Sequence, residues 1–244
     1  MKKSGVFIFD HSSKSGLSDS EIIYCVKKAD VLFCSDMSSS YFSCIIQYFR
    51  GKKIVFWGGR LCSESAHKLM KYLGKHVSME GFALSLTFYR IDIQCSEVNH
   101  FLRMFKLNYF NSLEEIIVDS KSLGLLGLQR FIATLSTNTT LNRLGIEIAR
   151  DEKFMETLGF SLLYLQFNHT LQEIELYAAP INNVCVKSIK AACINGLTKL
   201  KHLKFECDRN ASVEADALID ICQRREKAGT GVSVIIGYSS FTLQ

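Results

Sequence analysis

The sequence is dominated by a short motif, LxxLxL, that recurs four times at nearly constant spacing. The four copies begin at Leu113, Leu141, Leu171 and Leu200, which are 28, 30 and 29 residues apart. Between the copies, apolar residues recur every three or four positions, as they do along one face of an amphipathic helix. A fixed period of this size predicts a repeat protein in which each unit supplies one strand and one helix.

The residues that precede the motif repeat as well. Asn138 and Asn168 each stand three residues before the first leucine, in the sequences NTTL and NHTL. In the other two copies, Asn108 and Asn195 stand five residues before it. Because asparagine tolerates the left-handed backbone conformation, the pattern predicts that these residues cap the ends of helices.

The first 96 residues repeat less regularly. Residues 62–69 and 95–102 share the pattern CSExxHxL, and the β-rich runs GVFIFD, DVLFCSD and KIVFWGG alternate with helical stretches at 19–28 and 41–49. Strand and helix therefore alternate about nine times along the chain. At a period near 29 residues, the 244 residues accommodate eight to nine units and leave none for a second domain.

A strand motif LxxLxL followed by a helix and an Asn-x-Thr-Leu lead-in resembles the ribonuclease-inhibitor-like leucine-rich repeats, which also occur in Ran GTPase-activating proteins, tropomodulins and NOD-like receptors. The resemblance implies an α/β solenoid, or horseshoe, of about eight to nine repeats, with a parallel sheet on its concave face and helices outside. It implies a single domain over 1–244, with degenerate repeats at 1–96, clear repeats at 97–207 and a C-terminal repeat or cap at 208–244. The alternative is an N-terminal α/β domain joined near residue 95 to a short repeat array.

The chain departs from the family at the turn that follows each strand. The family usually places Asn or Cys three residues after the last strand leucine, where its side chain bonds the turn. Here those positions hold Lys121, Ala149, Ala179 and Asp208. We therefore expect the turns to be held in a different way.

Strand alternation assigns the side chains of the motif to two faces. The fourth and sixth positions point into the core, and the third, fifth and seventh point outward. Half of the outward positions are acidic, which favours a basic protein partner on the concave face, with Tyr177 as its anchor. The alternative is that these charges only keep an exposed sheet in solution. The outward residues are Glu115, Ile117, Asp119, Arg143, Gly145, Glu147, Glu173, Glu175, Tyr177, His202, Lys204 and Glu206.

The N-terminal strands are apolar on both sides. Their outward set includes Phe7, Phe9, Phe33, Val55 and Trp57. If these side chains are exposed, they form a candidate binding patch around Trp57, the only tryptophan. The alternative is that the strands are buried on both faces, as parallel strands commonly are.

Charge and hydropathy argue against several classes of function. The net charge is +5, but no block of clustered lysine and arginine occurs, so nucleic-acid binding is not expected. No apolar run approaches the roughly 18 residues of a membrane span, and the apolar run near the N-terminus is too short for a signal peptide. We therefore expect a cytoplasmic protein without membrane insertion, whose nine cysteines are reduced core residues.

The duplicated CSExxHxL pattern has the residue types of a zinc site but not the spacing. Cysteine and histidine are five positions apart in each copy, which is about 140° around a helix. Ser63 and Ser96 are better interpreted as helix N-caps. We therefore expect no metal and no cofactor at the residues Cys62, His67, Cys95 and His100.

Two fragments of catalytic motifs occur. Asp10 follows an apolar strand, as in haloacid-dehalogenase-like phosphatases, but Ser12 stands where the second Asp is needed. Ser239 lies in a partial GxSxG motif that lacks its second glycine. The sequence therefore predicts a non-catalytic protein–protein interaction module, namely an adaptor, inhibitor or scaffold. The alternatives are a small α/β hydrolase or phosphatase that uses Asp10 or Ser239, and a bacterial effector that acts on a host protein through the same repeat surface.

Overall fold

The computed structural model of the chain falls into two compact units, residues 1–118 and 119–244. Both units are α/β, with parallel strands and helices. The single domain expected over 1–244 stays a prediction. The residues that the structure describes are 5–10, 18–35, 46–57, 60–61, 67–69, 71–72, 84–89, 92–93, 99, 102–103, 113–227, 229 and 231–239.

The strands of the N-terminal unit lie side by side in chain order. β1, β2, β3, β5 and β7 form one parallel sheet, and β4 pairs with β6 in a separate parallel ladder. The strands predicted from GVFIFD, DVLFCSD and KIVFWGG are confirmed. The strand bounds are β1 (Val6–Asp10), β2 (Val31–Ser35), β3 (Lys53–Trp57), β4 (Arg60–Leu61), β5 (Leu84–Tyr89), β6 (Asp92–Ile93) and β7 (Leu113–Asp119).

Helix α1 (Asp19–Lys28) connects β1 to β2 and matches the helix predicted at 19–28. Ser18 begins it with a capping box: its hydroxyl accepts a hydrogen bond from the Glu21 amide, and the Glu21 carboxylate accepts one from the Ser18 amide at 2.8 Å. Ile22 and Val26, four residues apart, are both buried. The helix predicted at 41–49 lies mostly outside the described residues.

The C-terminal unit alternates helix and strand across its described residues, with short 3₁₀ helices at Leu163–Phe167 and Arg209–Ala211. Its strands β8, β9, β10 and β11 lie side by side in chain order and run parallel. Successive helices pack against each other. The bounds are α2 (Ser120–Leu135), β8 (Arg143–Glu147), α3 (Glu152–Leu162), β9 (Glu173–Tyr177), α4 (Asn183–Asn195), β10 (His202–Asp208), α5 (Ser212–Lys227) and β11 (Ser233–Ser239).

The core consists of the apolar positions of the motif, as the alternation of strand side chains predicts. The first, fourth and sixth positions of all four copies are at most 2% exposed. They form an apolar layer beneath the strands of the motif. These residues are Leu113, Ile116, Val118, Leu141, Leu144, Ile146, Leu171, Ile174, Leu176, Leu200, Leu203 and Phe205.

Two asparagines of the lead-in form a hydrogen-bonded ladder. The Oδ1 atom of Asn168 accepts bonds from the amides of Thr170 and Leu171, both at 2.9 Å. Its Nδ2 atom donates to the carbonyls of Leu135 at 2.5 Å and Asn138 at 3.2 Å. Asn138 accepts in the same way from the amides two and three residues further on. Each lead-in is therefore closed by its own asparagine, and the lead-in of Asn168 is tied to that of Asn138.

Asn168 caps the end of a 3₁₀ helix, Leu163–Phe167, as predicted, but the left-handed conformation expected for such a cap is wrong. Asn168 is extended, with φ −92° and ψ 126°. Among the described residues, the non-glycine positions with positive φ are Ala178 and Leu197. The side-chain bonds satisfy the backbone groups of the turn, so Asn138 and Asn168 do not need a left-handed backbone to close it.

The turn after β8 is held by a neighbouring segment, in agreement with the expected departure from the family. The amide of Ala149 donates to the hydroxyl of Ser120 at 2.9 Å, and both residues are buried. After β9, the amide of Ile181 donates to the carbonyl of Glu206, and the amide of Asp208 donates back to the carbonyl of Ile181. None of the described helices has the length and apolar character needed to cross a membrane.

Candidate protein-binding face

The strands of the C-terminal unit present a polar face on the side opposite their buried side chains. We call it the open face. Its side chains are exposed or half-buried, and they stand in register from strand to strand. Arg143, Glu173 and His202 form one row, and Gly145, Glu175 and Lys204 form the next. The open face consists of Arg143, Glu147, Glu173, Glu175, Tyr177, His202, Lys204 and Glu206.

Two ion pairs cross the open face from strand to strand. Nε of Arg143 lies 2.5 Å from a carboxylate oxygen of Glu173, and Nζ of Lys204 lies 2.5 Å from a carboxylate oxygen of Glu175. The hydrogen bond and the negative charge of Glu175 raise the pKa of Lys204. Part of the acidity counted in the sequence is therefore neutralised within the face, and a basic partner has to compete with these two cations.

Tyr177 lies at the end of β9, opposite Glu147 in the register with β8. Its carbonyl accepts a hydrogen bond from the amide of Ile148 at 2.9 Å. The next residue, Ala178, has φ 75° and is exposed, and its carbonyl accepts a bond from the guanidinium of Arg150. The half-buried Tyr177 therefore stands beside a turn whose backbone is held by these two bonds.

Asp119 does not belong to the face, and the prediction that it points outward is wrong. It is 6% exposed and caps the N-terminus of α2. Its carboxylate accepts bonds from the Lys121 amide at 2.9 Å and from the Ser122 hydroxyl at 3.3 Å. The chain leaves the strand and enters the helix at this residue, so its side chain follows helix capping rather than strand alternation.

Glu115 and Trp57 lie in the N-terminal unit. The Ser85 hydroxyl on β5 donates a hydrogen bond to the Glu115 carboxylate on β7. Trp57 is 43% exposed, and its ring centroid lies 6.0 Å from that of Phe33. Burial on both faces is therefore wrong for Trp57.

An apolar row crosses the sheet of the N-terminal unit beside Trp57. Ile8, Phe33, Val55, Thr87 and Ile117 are successive partners in the register of its strands. Ile8 is 65% exposed, and the others are half-buried. The row confirms that Phe33 and Val55 point outward, whereas the side chains of Phe7 and Phe9 lie outside the described part of the structure.

The two fragments of catalytic motifs stand at strand ends. Asp10 is the register partner of Ser35 in the N-terminal unit, and Ser239 is the partner of Asp208 in the C-terminal unit. The side chains of Asp10 and Ser239 lie outside the described part of the structure, as do residues 62, 63, 95, 96 and 100 of the duplicated pattern. Among the residues that are described, no group of three or more His, Cys, Asp or Glu side chains could hold a metal ion.

Sequence reasoning placed Arg143 and Lys204 on this face but missed that each pairs with an acid on the neighbouring strand, because pairing depends on register across strands far apart in the chain. It also missed Ile8 as a member of the apolar row. The signal that identifies both is the alignment of the strands with one another rather than the pattern within any strand. The sequence matches no protein-family model and no curated protein.

Proposed function

We propose that the chain is a leucine-rich repeat solenoid that binds another protein through the open face. The solenoid is supported by strands that pair in chain order within each unit and by the matching lead-ins at Asn138 and Asn168. Binding is supported by one observation above all: three successive strands hold an aromatic side chain and charged side chains of both signs in register on an accessible face. The module serves as a cytoplasmic adaptor, inhibitor or scaffold.

The chemistry of the face favours a partner that is basic where it meets the acids. The open face carries four carboxylates and two permanent cations, so its balance is acidic. Glu206 is exposed at the centre of β10. Tyr177 supplies apolar area together with a hydroxyl group, a combination that is enriched among residues that dominate interfaces.

The test compares two variants of the full chain in a pull-down from the native cell, followed by kinetics with the captured partner. The first is a double variant, Tyr177→Ala with Glu206→Lys, in one chain. We expect it to weaken binding by at least about tenfold, which corresponds to roughly 1.4 kcal/mol. The effect of Glu206→Lys should fall on the association rate and should shrink as salt is raised. The control is Glu156→Lys, which makes the same charge change at an exposed position of α3.

Equal binding by all three chains would place the site elsewhere, either on the helices or on the apolar row beside Trp57. The competing function, a small hydrolase or phosphatase, is tested separately with generic ester and phosphate substrates. Turnover that is abolished by Asp10→Asn or Ser239→Ala would overturn the proposal of a binding module.

A further inference from the structure

Two buried thiols face each other between the last two described helices. Cys193 on α4 is 3% exposed and Cys222 on α5 is 1% exposed, and both are free thiols. They are 29 residues apart, which equals the spacing between Leu171 and Leu200. The repeat therefore brings equivalent positions of adjacent helices together, and the side chains of the two cysteines are hydrogen-bonded.

The charges around the pair make its two thiols unequal. The hydrogen bond from Cys193 lowers the pKa of Cys222, and the nearby Arg225 guanidinium lowers it further, against the opposing effect of burial. The pKa of Cys193 is raised by the same hydrogen bond and by burial. Arg225 is held in place by the carbonyls of Leu197 and Thr198, each 3.0 Å from Nη2. Cys222 is thus the nucleophile of the pair and Cys193 the donor that stabilises its thiolate.

The other buried thiols that the structure describes, which are those of Cys34, Cys185 and Cys207, lack this arrangement. Burial raises the pKa of Cys185 to about 12 and that of Cys207 to about 11. Cys185 lies on α4 together with Cys193 and donates its hydrogen to the carbonyl of Met155. Cys185 is therefore a matched reference for a buried thiol without a thiol partner.

Each member of the pair borders a cavity. Cys222 lines a cavity of about 600 Å³ together with His202 and Gln223. Cys193 lines a second cavity of about 490 Å³ together with Ile194 and Arg224. Each cavity has room for a molecule of the size of hydrogen peroxide beside one member of the pair.

We propose that Cys193 and Cys222 are a redox-active dithiol that peroxide converts to a disulfide joining α4 to α5. The Cys222 thiolate attacks one peroxide oxygen, the O–O bond breaks, and the products are a sulfenic acid and, after proton transfer, water. The sulfur of Cys193 then attacks the sulfenic sulfur, the S–O bond breaks, and a second water leaves with the Cys193 proton. The two thiols lose two electrons in total, and the peroxide gains them.

The experiment treats the reduced, full-length chain with hydrogen peroxide under native conditions, alkylates the remaining thiols and digests with trypsin. We expect a disulfide-linked pair of the peptides AACINGLTK and NASVEADALIDICQR, which carry Cys193 and Cys222. It should be lighter than the two separate peptides by two hydrogens and should disappear on reduction. The pair should oxidise at least about tenfold faster than Cys185.

Three variants complete the test. Cys193→Ala and Cys222→Ala should each abolish the linked peptides, whereas Cys185→Ala should leave them unchanged. The unsubstituted chain alone decides the question if a variant fails to fold, because the link should form when peroxide is added in native buffer but not when it is added to the chain unfolded in urea. The proposal is overturned if Cys193 and Cys222 remain fully alkylatable at peroxide doses that oxidise the half-buried Cys25.

Discussion

A single buried side chain, that of Asn168, joins two successive lead-ins of the C-terminal unit. Its oxygen closes its own turn, and its nitrogen reaches the carbonyls of Leu135 and Asn138 in the preceding segment. All of these groups are withdrawn from water, where a missing partner costs much more than a hydrogen bond contributes on average. A polar residue is therefore as important here as the leucines that surround it.

We predict that Asn168→Ala lowers the free energy of unfolding by about 2–4 kcal/mol, because it leaves buried amides and carbonyls without partners. Equilibrium unfolding in urea measures the loss. Asn195→Ala is the control, since Asn195 is exposed and makes only a 3.5 Å bond to Gln166. It should cost no more than about 0.5 kcal/mol. Similar losses at the two positions would show that the ladder contributes little.

Asp208 is a second residue whose role follows from burial. Its Oδ1 atom is buried without a hydrogen-bond partner, and burial raises the pKa of the carboxyl. Because this pKa is higher in the folded chain than in the unfolded chain, the carboxyl stabilises the fold below its unfolded pKa. That contribution is lost as the pH rises through the folded pKa.

We therefore predict that Asp208→Asn, which cannot ionise, raises the free energy of unfolding at pH 7. The gain over the natural chain should shrink as the pH is lowered toward 4, where the natural carboxyl becomes protonated. Urea unfolding of both chains across this range measures the difference. A gain of the same size at both ends of the range would mean that ionisation is not its cause.

The regular elements could be predicted from the sequence because their signal is local and periodic. The bounds of α1, the three apolar N-terminal strands and the inward leucines all follow from spacing alone. Asp119 could not be placed correctly, because it is both the last residue of β7 and the N-cap of α2. The pairing of Arg143 with Glu173 depends on the alignment of two strands 30 residues apart, to which no local pattern is sensitive.

Close packing of elements makes Gly196 essential at the end of α4. A Cβ atom added there would lie 1.8 Å from the carbonyl oxygen of Gln166. That oxygen belongs to the backbone, so no side-chain rotation can relieve the contact. Gly124 in α2 differs, because it has φ 67° and open space around the position of a Cβ atom. A substitution at Gly196 therefore tests steric exclusion, whereas one at Gly124 tests backbone strain.

We predict that Gly196→Ala destabilises the chain by at least about 3 kcal/mol, since the backbone of one segment must shift. Gly124→Ala should cost about 1–3 kcal/mol, because φ 67° with ψ 170° is a backbone conformation that is essentially restricted to glycine. Thermal and urea unfolding of both variants rank the two effects. The opposite order would contradict the close approach of α4 to the segment at Gln166.

At the scale of the whole molecule, the open question is whether the two compact units unfold together. The single leucine-rich repeat domain predicted from the sequence requires one cooperative transition. Trp57 is the only tryptophan and lies in β3, so its fluorescence reports on the N-terminal unit. Asn168 lies in the C-terminal unit, so a substitution there perturbs the other part of the chain.

We expect Asn168→Ala to shift the Trp57 fluorescence transition and the loss of helical circular dichroism to the same lower urea concentration. Coincident midpoints are the mark of a single cooperative transition. If the Trp57 transition keeps its original midpoint while the helical signal shifts, the units are independent. The arrangement of an N-terminal α/β domain followed by a short repeat array would then replace the single solenoid.

The asparagine ladder has a consequence for how the chain can be produced. Asn138 and Asn168 each begin an Asn-x-Thr triplet, the acceptor sequence of N-linked glycosylation. In the folded chain, Nδ2 of Asn168 is buried and already donates to two carbonyls, so a sugar on that nitrogen and the native turn exclude each other. Passage through a eukaryotic secretory pathway would therefore trap the chain as a misfolded glycoprotein, whereas bacterial expression avoids the modification.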